Sequence, residues 1–166
     1  ECDDYKVYLS GPTNFRKEEY ADYKANRDAS HKPFYYEEIK DYLINHHDAI
    51  VTDSGIEADD AIGMAADGAD IICTLDKDLD TVAGWHYNWR KDELYWVTSN
   101  EADLFFWMQM LMGDSADNIK GIKGYGPSKA YNLLEDIPMG KRNCIVGLHY
   151  AYHFDDPEEE YIKNSK

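Results

Sequence analysis

Basic residues are scarce in this chain. Seventeen lysines and arginines stand against 33 aspartates and glutamates, a formal net charge of −16 over 166 residues. That imbalance opposes association with a polyanion through long-range repulsion, so any contact with nucleic acid must rest on local basic patches and on bound metal. Cysteine is scarcer still: Cys2, Cys73 and Cys144 are odd in number, widely spaced and fit no zinc pattern. Cys73 lies within an apolar run and reads as a core thiol, which makes a reducing cytoplasm the expected compartment. No apolar stretch approaches the length of a membrane span and no signal peptide is visible, so no membrane partner is expected. Internal repeats are absent, and the one biased tract is the acidic segment Asp155 to Glu160. What remains is the material of a globular protein. Fourteen tyrosines and four tryptophans argue against disorder, and the length suits one ordinary domain or a domain with a small appendage.

The pattern along the chain predicts an α/β first part and a helical second part. Lys6 to Leu9 is β-prone and ends at Gly11-Pro12; Ala49 to Thr52 is a second strand, ended by Asp53-Ser54-Gly55. Ile71 to Leu75 reads as a fully buried strand. Phe34 to Asn45 carries Tyr35, Ile39, Tyr42 and Leu43 at helical spacing, and Glu57 to Ala66 is a short helix weakened by Gly63. Asn14 to Arg27 is an exposed helix or an ordered loop. Trp85 to Trp89 and Leu94 to Val97 are the arms of a hairpin or meander. From Glu101 onward the pattern is helical, with Leu104, Phe105, Met108, Leu111 and Met112 as one apolar stripe; Ser128 to Glu135 and Cys144 to Phe154 follow as helices. Strand–helix alternation followed by helices implies a parallel sheet flanked by helices, with a first domain over residues 1–99 and a helical region over 100–166.

Three groups of carboxylates stand where these elements should end: Glu57, Asp59 and Asp60; Asp76 and Asp78; Asp114 and Asp117. In a parallel sheet, ligands bind beyond the carboxyl ends of the strands, which is where the first two groups fall. Each group alone has a plainer explanation. Asp59 and Asp60 suit the positive end of a helix, Asp76-Lys77-Asp78 is an ordinary turn composition, and Asp117 caps its own turn. Taken jointly, they make a pocket that needs divalent cations to balance it. Magnesium keeps several waters and needs few carboxylates per ion, so seven acids suffice for two ions of the kind that hydrolyse phosphodiesters. The acids lead into Lys120-Gly121-Ile122-Lys123-Gly124-Tyr125-Gly126-Pro127-Ser128-Lys129, a stretch with three lysines and no acid. Its glycines permit close approach to a phosphate and the helix start offers free amides, so it would hold a phosphate backbone without reading sequence; an ordinary loop between helices is the plain alternative. Asn14-Phe15-Arg16-Lys17 and Tyr23-Lys24-Ala25-Asn26-Arg27 form a third basic element, nearly cancelled by Glu18, Glu19, Asp22 and Asp28, and by itself it reads as a solvated helix.

Together these motifs, in this order over roughly residues 5 to 135, resemble the 5′→3′ exonuclease and flap endonuclease family, its bacteriophage branch most closely. The resemblance implies a PIN-like nuclease domain followed by a helix-three-turn-helix DNA-binding element. It implies magnesium- or manganese-dependent hydrolysis of DNA near free 5′ ends, flaps or overhangs, by a monomer in the cytoplasm of a bacterium or a phage-infected host. Glu57, Asp59, Asp60 and Asp76 would surround one ion, and Asp78, Asp114 and Asp117 a second. Lys24 and Arg27 match the basic positions of the family's helical arch, which grip the scissile phosphate, with Arg16 as a further DNA contact. Lys120, Gly121, Lys123, Gly124, Gly126 and Lys129 would bind the duplex backbone, together with a potassium ion held by main-chain carbonyls.

Two departures bear on activity. The chain begins too late to contain the family's N-terminal strand and its catalytic aspartate, and Ser10-Gly11 stands where many members carry another aspartate. A DNA-junction binder with impaired catalysis is therefore the competing reading, and an acidic ion-binding protein with no nucleic-acid role is a third.

Overall fold

The computed structural model describes residues 2–26, 32–53 and 55–165. They gather into two compact units, Glu1–Ala66 and Asp67–Lys166, and position 99/100 falls inside the second, at the start of its longest helix.

In the first unit, β1 (Tyr8–Leu9) and β2 (Ile50–Val51) pair in parallel, with Tyr8 opposite Ile50 and Leu9 opposite Val51. Between them in sequence lie α1 (Phe15–Glu19) and α2 (Tyr36–His47), and α3 (Ala58–Ala65) follows. Thr52 holds the strand ends in place. Its hydroxyl accepts from the Gly11 N–H at 3.1 Å and donates to the Ile56 carbonyl at 2.6 Å. A β-carbon at position 11 would collide with the Thr52 carbonyl, so glycine is required there. The Phe15 N–H donates to the carbonyl of Gly55, whose φ of +79° is a left-handed conformation. This bond ties the start of α1 to the turn leading into α3.

The second unit opens with β3 (Ile71–Cys73), which pairs in parallel with β4 (Gly84–Asn88); β4 pairs antiparallel with β5 (Glu93–Val97). The expected hairpin therefore forms and makes the sheet mixed. β3 itself differs from expectation. Only Ile72 is buried, Ile71 is exposed, and the Cys73 thiol is exposed instead of lying in the core. Successive side chains on a strand point to opposite faces, and one face of this sheet is open among the described residues.

The capping box of Thr98 and Glu101 starts α4 (Ser99–Met112), and Gly113 ends it at φ +70°. A short hairpin, β6 (Gly113–Asp114) with β7 (Ile119–Lys120), leads through a turn to α5 (Pro127–Leu134), then α6 (Arg142–His153) and α7 (Pro157–Ser165). Met110, Leu111, Ile122, Ala130, Leu134, Val146 and Tyr150 form the buried core. Of the predicted stripe on α4, Leu104, Met108 and Met112 pack around this core and Leu111 is inside it. Phe105 is replaced in that role by Met110, because a helix apolar on nearly every side lets its neighbours choose the face. The acidic tract Asp155 to Glu160 is mostly the first turn of α7, where Glu158, Glu159 and Glu160 meet the positive end of the helix dipole.

Two features pin this core. The Tyr150 hydroxyl donates to the Met110 carbonyl at 2.6 Å, and the Ile122 N–H donates to the Leu111 carbonyl at 2.8 Å. Where Gly121 passes α4, a β-carbon would overlap the Met112 carbonyl group and the Gly113 nitrogen. Gly121→Ala is expected to lower stability by about 1–3 kcal/mol, the range for an overpacked site that can relax only by moving backbone. A urea titration followed by far-ultraviolet circular dichroism measures it.

Candidate active site

In the first unit, the acids of α3 and the bases of the preceding segment meet. Asn14 caps α1 by accepting the Arg16 N–H at 2.9 Å, which aims the Arg16 guanidinium at α3. There its two terminal nitrogens donate to Asp60 Oδ2 and Oδ1, both at 2.7 Å, and one lies 3.5 Å from Glu57 Oε2. Such a planar fork on a carboxylate is the strong form of an ion pair. Asp60 also accepts the Glu57 N–H at 3.0 Å, closing the capping box that starts α3. Glu57 accepts from the Tyr23 hydroxyl at 2.7 Å and pairs with the Lys24 ammonium. Ser10 Oγ accepts the Ala58 N–H at 3.0 Å, so the serine serves the start of α3.

The electrostatics follow. The hydrogen bonds from Arg16 hold the Asp60 carboxyl below its usual range, and Asp60 raises the guanidinium further above neutrality. Burial pushes Glu57 up, but the bonds from Lys24 and Tyr23 outweigh it and the net shift is downward. Asp59 moves the other way: burial raises it first, and the charges of Glu57 and Asp60 add to that. Bases expected to contact DNA and acids expected to hold metal are thus drawn into one half-buried cluster. Arg27 lies outside the described residues.

In the second unit, Asp76 follows β3 and its Oδ1 accepts the Asp78 N–H at 3.0 Å, capping the 3₁₀ turn Lys77–Thr81. Gln109 reaches from α4 to donate to Asp78 Oδ1 at 2.6 Å. Asp114, on β6, accepts the Ala116 N–H at 2.7 Å. Burial raises the Asp78 carboxyl, and repulsion from Asp76 and Asp114 raises it further. Asp76 and Asp114 are therefore close enough to Asp78 to oppose its ionisation. Asp117 lies in the turn between β6 and β7, before Asn118 at φ +60°. Among the described residues no three His, Cys, Asp or Glu side chains converge on one point suited to an ion. The donor set still fits magnesium or manganese. Its oxygens are hard, and an octahedral ion that keeps its waters needs one or two of them.

Beside Asp76 opens a cavity of about 570 Å³ lined by Thr74, Lys77, Asp80, Arg90, Lys91 and Tyr95, among others. Asp80 is held by the Tyr95 hydroxyl at 2.8 Å, and burial, then that bond, push the phenol up to about 12. Lys77, Arg90 and Lys91 bring three positive charges to the cavity, matched by Asp76, Asp80 and Glu93 on the same lining. Sequence reasoning does not select these three bases as contacts. Arg90 and Lys91 sit at a hairpin tip, where charge is ordinary, and only the pairing of β4 with both neighbours places them near the end of β3. Gln109 escapes it too; its one signal is a polar residue amid the apolar run of α4.

The glycine turn is open. Gly124 has φ +88°, no atom lies within 4 Å of a β-carbon at Gly124 or Gly126, and Lys123 is exposed. Gly126 caps α5 with Pro127 at its first position. Lys129 lies over the Tyr125 ring at 3.8 Å, and Lys120 is in β7.

The described residues thus form an α/β scaffold with carboxylates after its strands and an open lysine–glycine turn. Residues 4–102 match the family model of the 5′-3′ exonuclease, N-terminal resolvase-like domain, and the chain belongs to that family. It is 32% identical over 146 residues to the 5′-3′ exonuclease of Bacillus subtilis (strain 168), covering 76% of this chain and 49% of that protein. The chain thus spans about half the length of this relative. Among solved structures, the bacteriophage T5 D15 protein co-crystallised with metal ions superposes with a TM-score of 0.75 at 19% identity, covering 99% of this chain and 73% of the other. The T5 D15 flap endonuclease in a complex with DNA and metal ions superposes with a TM-score of 0.61 at 18% identity, covering 95% and 70%. At those identities the superpositions establish the shared α/β fold.

Proposed function

We propose that the protein hydrolyses DNA phosphodiesters near 5′ ends, as an exonuclease or flap endonuclease dependent on magnesium or manganese. The observation that carries this reading is the half-buried Asp78, bonded by Gln109 and repelled by Asp76 and Asp114, near a cavity lined by Asp76, Asp80 and Glu93 together with Lys77, Arg90 and Lys91. Bound divalent ions would supply an activated water and offset charge on the attacked phosphate. The residues of this chain do the rest. Asp76, Asp78, Asp114 and Asp117 would hold the ions by their carboxylate oxygens; Gln109 fixes the orientation of Asp78. Lys77, Arg90 and Lys91 draw the phosphate backbone toward Asp76. The turn from Lys120 to Lys129 would bind duplex as a helix-three-turn-helix element, and its main-chain carbonyls would hold a potassium ion that offsets phosphate charge. Within the first unit, Glu57, Asp59 and Asp60 would offer carboxylates to an ion of their own, and Lys24 and Arg16, with Arg27, would meet the DNA as its arch.

The test is release of short products from 5′-flapped duplex in magnesium and its loss in EDTA. No cleavage by the full-length protein in magnesium or manganese overturns the reading. A second, separable expectation concerns the turn. Lys123→Glu should weaken duplex binding at every sequence and lower the slope of log affinity against log salt by roughly 1, measured by fluorescence anisotropy.

One observation favours a second reading, a DNA-junction binder with impaired catalysis. Glu57 and Asp60 are engaged by Lys24 and Arg16, and Ser10 is engaged by α3. Tight flap binding without metal-dependent cleavage by the full-length protein would select it.

A further inference from the structure

Far along the chain from the acidic site, α6 carries His149 and His153, four residues apart and therefore on one face. Their rings are nearly parallel, 11° between planes and 6.4 Å between centroids. His153 is exposed and ends the helix, and His149 is half-buried one turn earlier. His149 Nδ1 is engaged at 2.7 Å by the Tyr125 hydroxyl, which leaves Nε2 as its open ring nitrogen. With the ring proton on Nδ1 and donated to the phenol oxygen, this is the arrangement of a histidine metal ligand: one nitrogen held by an outer partner that sets the ring's orientation, the other carrying the lone pair.

We propose that His149 and His153 form a two-histidine site for a borderline-soft divalent transition ion of the zinc, nickel or copper class. Imidazole nitrogens at this spacing on a helix select such ions, whereas magnesium and manganese prefer the oxygens of the carboxylate cluster. The site lies in the last turn of α6, where the unpaired carbonyls of a helix end favour a cation. His149 is also held toward its neutral form, by burial first and then by His153 and Lys129, and the neutral ring is the one that ligates. Water fills the remaining positions. Because Tyr125 belongs to the glycine turn, an ion that fixes His149 also fixes the phenol bonded to it.

The experiment is calorimetric titration of the untagged chain with nickel, repeated with zinc, in excess magnesium to occupy the carboxylates. One equivalent should bind. His153→Ala, at an exposed position that the fold does not need, should abolish binding, and His149→Ala should do the same. Tyr125→Phe, which removes only the outer partner, should weaken it by about tenfold. His46→Ala, on α2, should leave it unchanged. Circular dichroism checks that each variant is folded. Absence of nickel and zinc binding by the parent chain overturns the proposal, as does stoichiometric binding that survives in both α6 histidine variants. Binding lost in Asp76→Asn but not in His153→Ala would place the ion at the carboxylates and equally overturn it.

Discussion

Asp76→Asn in the full-length protein should lower the cleavage rate on 5′-flapped duplex by at least ~100-fold while leaving duplex affinity within about twofold, by the magnitudes seen when a transition-state contact is removed. Asparagine keeps the size of the side chain and the oxygen that caps the Asp78 N–H. It removes the charge, which is what a divalent ion and its water require. The same change relieves the repulsion that Asp76 exerts on Asp78, so the Asp78 carboxyl should move back toward its ordinary range. Carbon-detected NMR of the carboxyl group reads that change without any catalysis. Single-turnover cleavage and anisotropy on the same flap separate the two effects. An unaltered cleavage rate removes Asp76 from the reaction, and an equal loss of rate and affinity makes it a binding residue.

Arg142→Met should cost about 3–5 kcal/mol of stability, the range for breaking a buried ion pair from one side. Arg142 is only 1% exposed. Its guanidinium donates to Asp103 Oδ2 at 2.7 Å, to the Asn100 carbonyl at 3.0 Å and to Asn100 Oδ1 at 2.9 Å, and Nε donates to the Leu134 carbonyl at 3.3 Å. One side chain thus joins the start of α4, the end of α5 and the start of α6. Methionine fills much of the volume but removes the donor from Asp103 Oδ2, the Asn100 carbonyl and Asn100 Oδ1; Asp103 Oδ1 keeps the Trp107 indole N–H and the Leu134 carbonyl keeps the Ile137 N–H. Chemical denaturation should show the midpoint falling with an unchanged slope. Restoring an apolar partner with Asp103→Leu in the same chain should recover part of the loss, because the unpaired charge goes with it. A stability within about 0.5 kcal/mol of the parent, the range of an ordinary surface change, would show that the network adds no net stability.

Much of the candidate site is legible in the amino-acid sequence. Glu57, Asp59, Asp60, Asp76 and Asp78 follow short β-prone runs, and a run of that kind has few places to end. The Lys120 to Lys129 segment stands out because lysine and glycine replace acid over ten residues. Other features are not legible there. Composition places Cys73 inside and the thiol is exposed, because an apolar run says that a strand is present but not how many of its faces are covered. Periodicity places Phe105 in the core and Met110 is there instead. On a helix with apolar residues nearly all round, the buried face is chosen by what packs against it.

Local physics alone indicated most of the helices and strands, though not the hairpin of β6 and β7 or α7, and showed where carboxylates and glycines gather along the chain. Spacing, turn residues and charge act over a few neighbours, and those neighbours are in the sequence. Tertiary structure alone decided the pairings. It set Arg16 on Asp60 and Lys24 on Glu57, crowded Asp78 against Asp76 and Asp114, and buried Arg142 among three helices. Each of those contacts except the one between Asp76 and Asp78 joins residues far apart in the chain. Their energy depends on distance and burial, and neither quantity exists until the chain has folded.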